Sequence, residues 1–370
     1  MSRTLYREVY EALRSSIESG ELAVGERLPR DSELMERFDV GAITVKRALT
    51  LLRDEGYLSR RPRHGTFVVS REGGEAPPPA PRPGDQLIGC VLTDFDDTFG
   101  TRMLAGLIDA AQPDTSLVVR RSLGDGARED TMVRALAAAG ARAIILQPSS
   151  SEFVPPAVLE LITRGFPVVI LDRVYDGLPV SSVCSDNVTA GRVATDYLFS
   201  LGHERLGLIS SDSEVSTVRD RRAGFVAAHA HHHVPHDPAN EFRATRSTVP
   251  GSYATPDDDV RALTGYLAER RDLQGVVVTE YHLAVLVLEA ARELGIRMPE
   301  DLSIVCFDHP GQFFDRGRFE FTHIEQDEAA MGHTAFELAL DLTRDGSRVE
   351  RVALDTRLVV GESTAPRRPA

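Results

Sequence analysis

Residues 28–68, LPRDSELMERFDVGAITVKRALTLLRDEGYLSRRPRHGTFV, decide how the chain is organised. Leu34 and Phe38 share one face of a short helix over 32–38, which the Asp31 carboxylate can cap. Asp39-Val40-Gly41 reads as a turn. A second helix over 42–55 gathers Val45, Ala48, Leu49 and Leu52 on one stripe and leaves Thr44, Lys46 and Arg47 outward near its start. Gly56 stops that helix, and two short strands, 57–60 and 65–69, flank Arg61-Pro62-Arg63-His64 as a wing in which Gly65 eases the turn. Helix, turn, helix and basic wing in this order predict a reader of duplex DNA. The second helix would enter a major groove about 12 Å wide, with Arg30, Thr44, Lys46 and Arg47 at bases or phosphates. Arg60, Arg61, Arg63 and His64 would follow phosphates or the minor groove.

Charge supports this over a winged helix that docks protein. Residues 1–43 carry six basic and nine acidic side chains, whereas 44–71 carry seven basic and two acidic. The chain as a whole has a formal charge of -14, which excludes a protein that coats nucleic acid with its entire surface. Upstream, Leu5, Tyr6, Val9, Leu13 and Ile17 recur at helical spacing, so 4–19 is expected to be a helix packed under the reader, ended by Gly20. Downstream, 71–85 is rich in Pro and Gly and reads as a semi-extended tether. Cys90, Cys184 and Cys306 lie far apart in apolar runs and read as isolated thiols, with neither a disulfide framework nor a metal knuckle. No secretory signal and no apolar stretch of about 18 residues is present, so a cytoplasmic protein without a membrane segment is expected.

From residue 86 the pattern changes. Short apolar runs at 87–92, 116–119, 143–146 and 168–171 alternate with helical patterns at 100–111, 127–139 and 155–164. The series restarts after Arg173 with helices at 187–200, 219–230, 257–268 and 281–294, and strands at 206–209, within 241–248, at 275–278 and at 303–307. Such repetition builds parallel sheets covered on both faces, here two α/β lobes with a cleft between them. Ligands of open α/β sheets bind beyond the carboxyl ends of the strands. Asp94, Asp172, Arg173 and Asp308 occupy those ends, and Arg221 opens a helix facing the same region. Arginine forks and carboxylates offer opposed donor and acceptor sets, which suits a polyhydroxylated molecule.

Two resemblances follow. Gly25-Glu26-Arg27-Leu28-Pro29, Thr44-Val45-Lys46-Arg47-Ala48-Leu49, Glu55-Gly56-Tyr57-Leu58 and Arg63-His64-Gly65-Thr66-Phe67-Val68 resemble the winged helix-turn-helix of the GntR family of bacterial regulators. This chain has Arg30-Asp31-Ser32 where members usually carry Ser-Glu-Arg, and Gly41-Ala42 where they carry Ser-Arg. The departures imply an operator unlike the family's usual one, with Arg30 as the candidate replacement. Residues 86–363 are similar to the effector-binding core of the lactose/galactose repressor family through Pro167–Arg173, Leu201–Ile209, Arg221–Phe225, Glu293–Val305 and Phe307-Asp308. That likeness implies effector contacts from Arg173, Arg221 and Asp308, an aromatic stack from Phe99, and a pocket lined by Asp94 and Gln326. Where that family often has Asn-Asp, this chain has Glu280-Tyr281. Either Glu280 accepts from the ligand, or the effector differs from a common hexose.

The expected fold is mixed α/β: a winged helix-turn-helix (1–70), a linker (71–85) and a two-lobed periplasmic-binding-protein-like sensor (86–364). The fusion is similar to arabinose-responsive regulators. It implies a dimeric transcriptional regulator, acting as a repressor on a near-palindromic operator and controlled by a sugar-like effector. The alternative is a dimeric DNA-binding scaffold whose second module answers to a protein or to no ligand. No dinucleotide fingerprint, P-loop or nucleophile elbow supports an enzyme or a cofactor. Asp186-Asn187 read as a helix cap and lobe contact, Gly202-His203 as a turn, and Asp257-Asp258-Asp259 as a helix start. The run His229, His231, His232, His233 and His236 lacks partners at metal-ligand spacing and reads as a surface helix end.

Overall fold

The computed structural model describes residues 2–61, 65–70, 86–213, 215–310, 319–345 and 348–367, without the side chains of residues 2–5, 54, 60, 61 and 65. The chain divides into two compact units, residues 1–80 and 81–370. In the first, α1 (Ser2–Glu18), α2 (Asp31–Phe38) and α3 (Ala42–Asp54) precede a hairpin of β1 (Leu58–Arg61) and β2 (Gly65–Val68). Val9, Leu13 and Ile17 of α1 meet Leu34, Val45, Ala48 and Leu52 in one apolar core. Arg30, not Asp31, is the N-cap of α2. Its backbone N–H donates to the Glu33 carboxylate at 2.8 Å, so the helix-start signal lies at Glu33, and Asp31 is already helical. Asp39 closes α2 in the left-handed conformation (φ 49°), and Gly56 (φ 78°) does the same for α3. The hairpin is antiparallel, and the backbone of residues 25–28 pairs with its second strand through Leu28 N–H to Thr66 O and Gly25 N–H to Val68 O. The Tyr57 hydroxyl donates to Glu18 at 2.8 Å and ties the wing to α1.

The second unit is a duplicated α/β lobe. Its first elements are β3 (Gln86–Leu92), α4 (Thr101–Asp109), β4 (Thr115–Arg121), α5 (Gly126–Ala138), β5 (Ala143–Leu146), α6 (Pro156–Thr163), β6 (Val168–Leu171) and β7 (Ser181–Ser185). Then come α7 (Asn187–Ser200), β8 (Leu206–Ser211), α8 (Ser216–His231), β9 (Glu241–Thr245), α9 (Pro256–Glu269), β10 (Gly275–Val278), α10 (Tyr281–Glu293), β11 (Ser303–Phe307) and β12 (Thr322–Gln326). Last are α11 (Glu328–Arg344), β13 (Arg351–Leu354) and β14 (Thr356–Val359). One sheet has the order β13-β7-β6-β5-β3-β4 and the other β14-β12-β11-β10-β8-β9, so β3 corresponds to β8, β6 to β11 and β7 to β12. All pairings are parallel except that of β14 with β12.

The chain crosses between lobes after β7, after β12 and between β13 and β14. Each of the first two crossings is an aspartate that caps the next helix: Asp186 accepts from Thr189 N–H and Asp327 from Ala330 N–H, both at 2.9 Å. Helix α7 thereby covers β8, β10 and β11, while α11 returns to cover β3, β5 and β6. Matched helix pairs approach closely through glycine. A Cβ at Gly191 of α7 would lie 2.2 Å from the Arg221 carbonyl oxygen of α8, and one at Gly332 of α11 would lie 2.0 Å from the Met103 oxygen of α4. The first contact matters for the site, because it fixes the stretch of α8 that carries Arg221.

The histidine run is not all surface. His229 is buried against Phe199 and Phe225, at ring-centroid distances of 5.1 and 4.4 Å, because it shares the sheet-facing side of α8 with Phe225. His232 pairs with Asp196 and His236 with Glu241. Cys90 and Cys306 are buried thiols, and Cys184 is half-buried.

Candidate functional site

The duplicated topology places two aspartates at equivalent strand ends. Asp172 follows β6 and Asp308 follows β11, and both adopt left-handed backbone (φ 65° and 64°), a region that few residues other than glycine enter. Each is held by its neighbouring strand: Asp172 N–H donates to Val183 O at 2.8 Å, and Asp308 N–H to Ile324 O at 3.0 Å. Each carboxylate accepts from a buried glutamine amide, Gln147 Nε2 to Asp172 at 3.0 Å and Gln326 Nε2 to Asp308 at 2.7 Å. Backbone strain of this kind clusters at active sites and ligand clamps.

Between them lies Arg221, in the second turn of α8 and not at its opening, because the helix begins at Ser216. Its Nε donates to Asn187 Oδ1 at 2.8 Å, its Nη1 to the Thr279 carbonyl at 2.6 Å, and the guanidinium stacks 4.0 Å above the Phe307 ring. The fork is preorganised on three sides. Arg173 is 12 % exposed and donates to the Pro148 carbonyl, and its buried Nε lies 3.7 Å from Asp172 without making a hydrogen bond. Burial pulls its pKa down. Glu280 accepts from the Thr248 hydroxyl at 2.7 Å, and burial pushes its carboxyl above the ordinary range. The same cause pushes Asp308 up to about 7, against the opposing pull of Arg221.

These groups line one cleft with a cavity of about 220 Å³, bounded in the first lobe by Asp94, Phe95, Asp96, Phe99, Gln147, Asp172 and Arg173. The second lobe supplies Arg221, Thr248, Thr279, Glu280, His282, Asp308 and Gln326. All eight expected effector residues, Asp94, Phe99, Asp172, Arg173, Arg221, Glu280, Asp308 and Gln326, meet here. Asp94 pairs at 3.1 Å with Arg121, and the half-buried Phe99 forms part of the wall. The lobes touch at the mouth: His282 Nε2 lies 2.9 Å from Asp96 and 3.2 Å from Thr98 Oγ1. Ser216 adds a second contact, donating its N–H to Ser151 Oγ at 2.8 Å and accepting from Val174 N–H at 3.0 Å. Two buried acceptors in the cleft, Gln326 Oε1 and Thr279 Oγ1, have no hydrogen-bond partner, the condition a polar ligand would relieve.

The sequence reading passed over Gln147, Asp96, Thr248, Thr279 and His282. Gln147 directly follows β5, so the rule that picked out Asp94 and Asp172 also reaches it. Thr248 carries no such signal, because an irregular turn after β9 brings it to Glu280.

In the head, Lys46 and Arg47 are exposed on α3 and Thr44 is half-buried. Arg47 stacks on Tyr6 of α1, with 4.6 Å from its guanidinium carbon to the ring centroid. Arg30 is exposed at the start of α2. Arg60 and Arg61 lie on β1, opposite Thr66 and Gly65; their side chains, and all of Arg63, His64 and the 71–85 tether, lie outside the described residues. Ile43, also passed over, is 85 % exposed at the start of α3 beside these groups. An apolar side chain so placed suits a thymine methyl group.

A winged helix-turn-helix followed by a two-lobed α/β unit with a polar cleft is the combination of a one-component transcriptional regulator. Residues 5–68 match the gntR family of bacterial regulatory proteins, residues 85–242 the periplasmic binding proteins and sugar binding domain of the LacI family, and residues 195–364 a periplasmic binding protein-like domain. The chain joins a GntR-type head to a LacI-type periplasmic-binding-like domain. The arabinose metabolism transcriptional repressor of Geobacillus stearothermophilus is 26 % identical over 365 residues, covering 97 % of each chain. The fold is shared with a transcription regulator from Staphylococcus saprophyticus (TM-score 0.65, 23 % identity, 76 % of this chain and 99 % of that one). It is shared also with the regulator CelR in its cellobiose complex (TM-score 0.64, 20 % identity, 91 % of this chain and 100 % of that one). The relatives are regulators, and this chain is a transcriptional regulator rather than an enzyme. Among the described residues no helix is long and apolar enough to cross a membrane, and no cluster of ligating side chains suits a metal ion.

Proposed function

We propose that the chain is a cytoplasmic, homodimeric repressor whose affinity for a near-palindromic operator is set by a sugar-like molecule in the interlobe cleft. The head (1–70) supplies the output through Arg30, Thr44, Lys46, Arg47, Arg60, Arg61, Arg63 and His64, to which we add Ile43. The tether (71–85) connects it to the sensor (86–364). The observation that carries the reading is the cleft itself: matched Asp172–Gln147 and Asp308–Gln326 pairs, a clamped Arg221 fork and two unpartnered buried acceptors. A polyol satisfies such a set with its hydroxyls, each of which donates and accepts. The relative named for arabinose metabolism makes pentoses the first ligands to try. Asp96–His282 and the Ser216 contacts hold the lobes together, so a ligand touching both lobes would favour this closed arrangement. Calorimetric titration of the full chain with pentoses, hexoses and disaccharides tests the reading. Saturable binding abolished by Arg221→Ala supports it, and the absence of any binding refutes it.

A further inference from the structure

The charges lining the cleft are unequal. Five carboxylates, Asp94, Asp96, Asp172, Glu280 and Asp308, face two guanidiniums, Arg173 and Arg221. Three of the five have basic neighbours: Asp94 has Arg121 at 3.1 Å, Asp96 has His282 at 2.9 Å, and Asp172 has Arg173 at 3.7 Å. Among the described residues, Glu280 and Asp308 form no ion pair within 4 Å: Glu280 accepts from Thr248 and Ser211 and Asp308 from Gln326, and both feel Arg221 only at longer range. Arg221, the nearest cation, is committed to Asn187, the Thr279 carbonyl and the Phe307 ring.

The unpaired acceptors are grouped. Strands β10, β11 and β12 are adjacent and parallel, with Val278 beside Cys306 and Phe307 beside Ile324. Glu280 and Asp308 therefore leave neighbouring strands at the same level, and Gln326 ends the third. The three side chains therefore line one wall of the cleft, Glu280 held toward Thr248 and Ser211 and Asp308 toward Gln326. Gln326, 4 % exposed, turns its amide N–H to Asp308 and leaves its buried Oε1 without a donor, and the Thr279 hydroxyl oxygen, 1 % exposed, is also unpartnered. This corner has more acceptors than donors, and its one guanidinium, Arg221, is already committed to Asn187, the Thr279 carbonyl and the Phe307 ring.

We propose that the effector is a polyol bearing a protonated amine, an amino sugar by class, and that Glu280 with Asp308 selects it. The inference rests on the sensor reading above and narrows it. An ammonium group brings three donors and no acceptor, which matches this corner. A phosphate or carboxylate would add negative charge to a surplus of it, and a neutral hydroxyl would leave both carboxylates without a direct ion pair. Burial raises both carboxyls despite the opposing pull of Arg221, so a cation bound against them would favour their ionised form.

The test is calorimetry on the full chain at pH 7. The ligands are glucosamine, galactosamine and mannosamine, each set against its neutral parent hexose, its N-acetyl derivative and the parent's 6-phosphate. At least one amine is expected to bind about tenfold or more tighter than its parent and its N-acetyl derivative, with the phosphate weakest. Glu280→Gln, confirmed as folded by its melting curve, should reduce that preference to within about threefold. The wild-type comparison stands whether or not the variant folds. Neutral hexoses that bind as tightly as every amine, or phosphates that bind more tightly, overturn this inference and leave the sensor reading intact. An amine preference unchanged in Glu280→Gln overturns the role given to Glu280. Failure of every ligand in this panel overturns this inference alone, and the pentose and disaccharide titrations decide the sensor reading separately.

Discussion

Asp308→Asn isolates one charge in the cleft with almost no change of shape. Asparagine keeps an oxygen for the Gln326 amide and tolerates the left-handed backbone at this position, so packing and hydrogen bonding are retained. The charge is expensive. Burial raises the carboxyl from its ordinary 3.8 to about 7, and at about 1.4 kcal/mol for each tenfold change the ionised form costs the folded chain about 4 kcal/mol. A raised acid makes the folded state the better proton binder, so stability falls as pH rises between the two values. The variant should match the wild type below about pH 4, gain through the window from 3.8 to about 7, and be more stable by up to about 4 kcal/mol at pH 8. Urea unfolding of the full chain at a series of pH values, monitored by circular dichroism, measures this. The same variant should lose effector binding, since it exchanges an acceptor-only carboxylate for an amide. Equal or lower stability than wild type at pH 8 would refute the reasoning that Asp308 is held ionised at a cost for the sake of a ligand.

Arg47→Ala should weaken operator binding in a fluorescence-anisotropy titration by about tenfold, consistent with loss of a base or phosphate contact of about 1–3 kcal/mol, and leave effector affinity unchanged. Arg221→Ala should do the reverse, with effector binding lost and operator affinity in the ligand-free state retained. Gly191→Ala forces a methyl group against the Arg221 carbonyl oxygen and should cost about 1–3 kcal/mol in urea unfolding while also weakening the effector, because the backbone that carries Arg221 must shift. His282→Ala removes a half-exposed contact across the cleft mouth, so the effector Kd should rise by less than about fivefold with no change in which ligand is preferred.

Where apolar periodicity was strong, the sequence was read almost to the residue: α7, β10 and β11 lie where their runs place them. It also left out α11, although Met331, Ala335, Phe336, Ala339 and Leu342 form a buried apolar stripe there, and it left out short strands whose patterns are not those of core strands. Strand β7 is Ser-Ser-Val-Cys-Ser, its serines buried at the lobe crossing, and β13 and β14 are edge strands with no fully buried residue, alternate side chains of β13 and Arg357 of β14 being exposed. Neither reads as a core strand. Five of the eight cleft residues were legible from strand ends and a helix start, and Phe99, Glu280 and Gln326 entered through resemblance to a family. The contacts that orient them, from Gln147, Asn187 and Thr248, depend on the lobe crossings and on a turn, which local sequence does not encode. The histidine run shows the opposite failure: composition suggested a solvent-facing segment, while the helical face it shares with Phe225 buries His229.

The central claim is that a small molecule in the cleft changes how tightly the head holds DNA. It is tested most directly by measuring the affinity of the full chain for a duplex selected from a random pool, with and without a saturating ligand identified by calorimetry. The account predicts a change of at least about fivefold, matched by an equal factor in ligand affinity when the DNA is saturating, and absent in Arg221→Ala. A ligand that binds the cleft tightly while leaving operator affinity unchanged would contradict it.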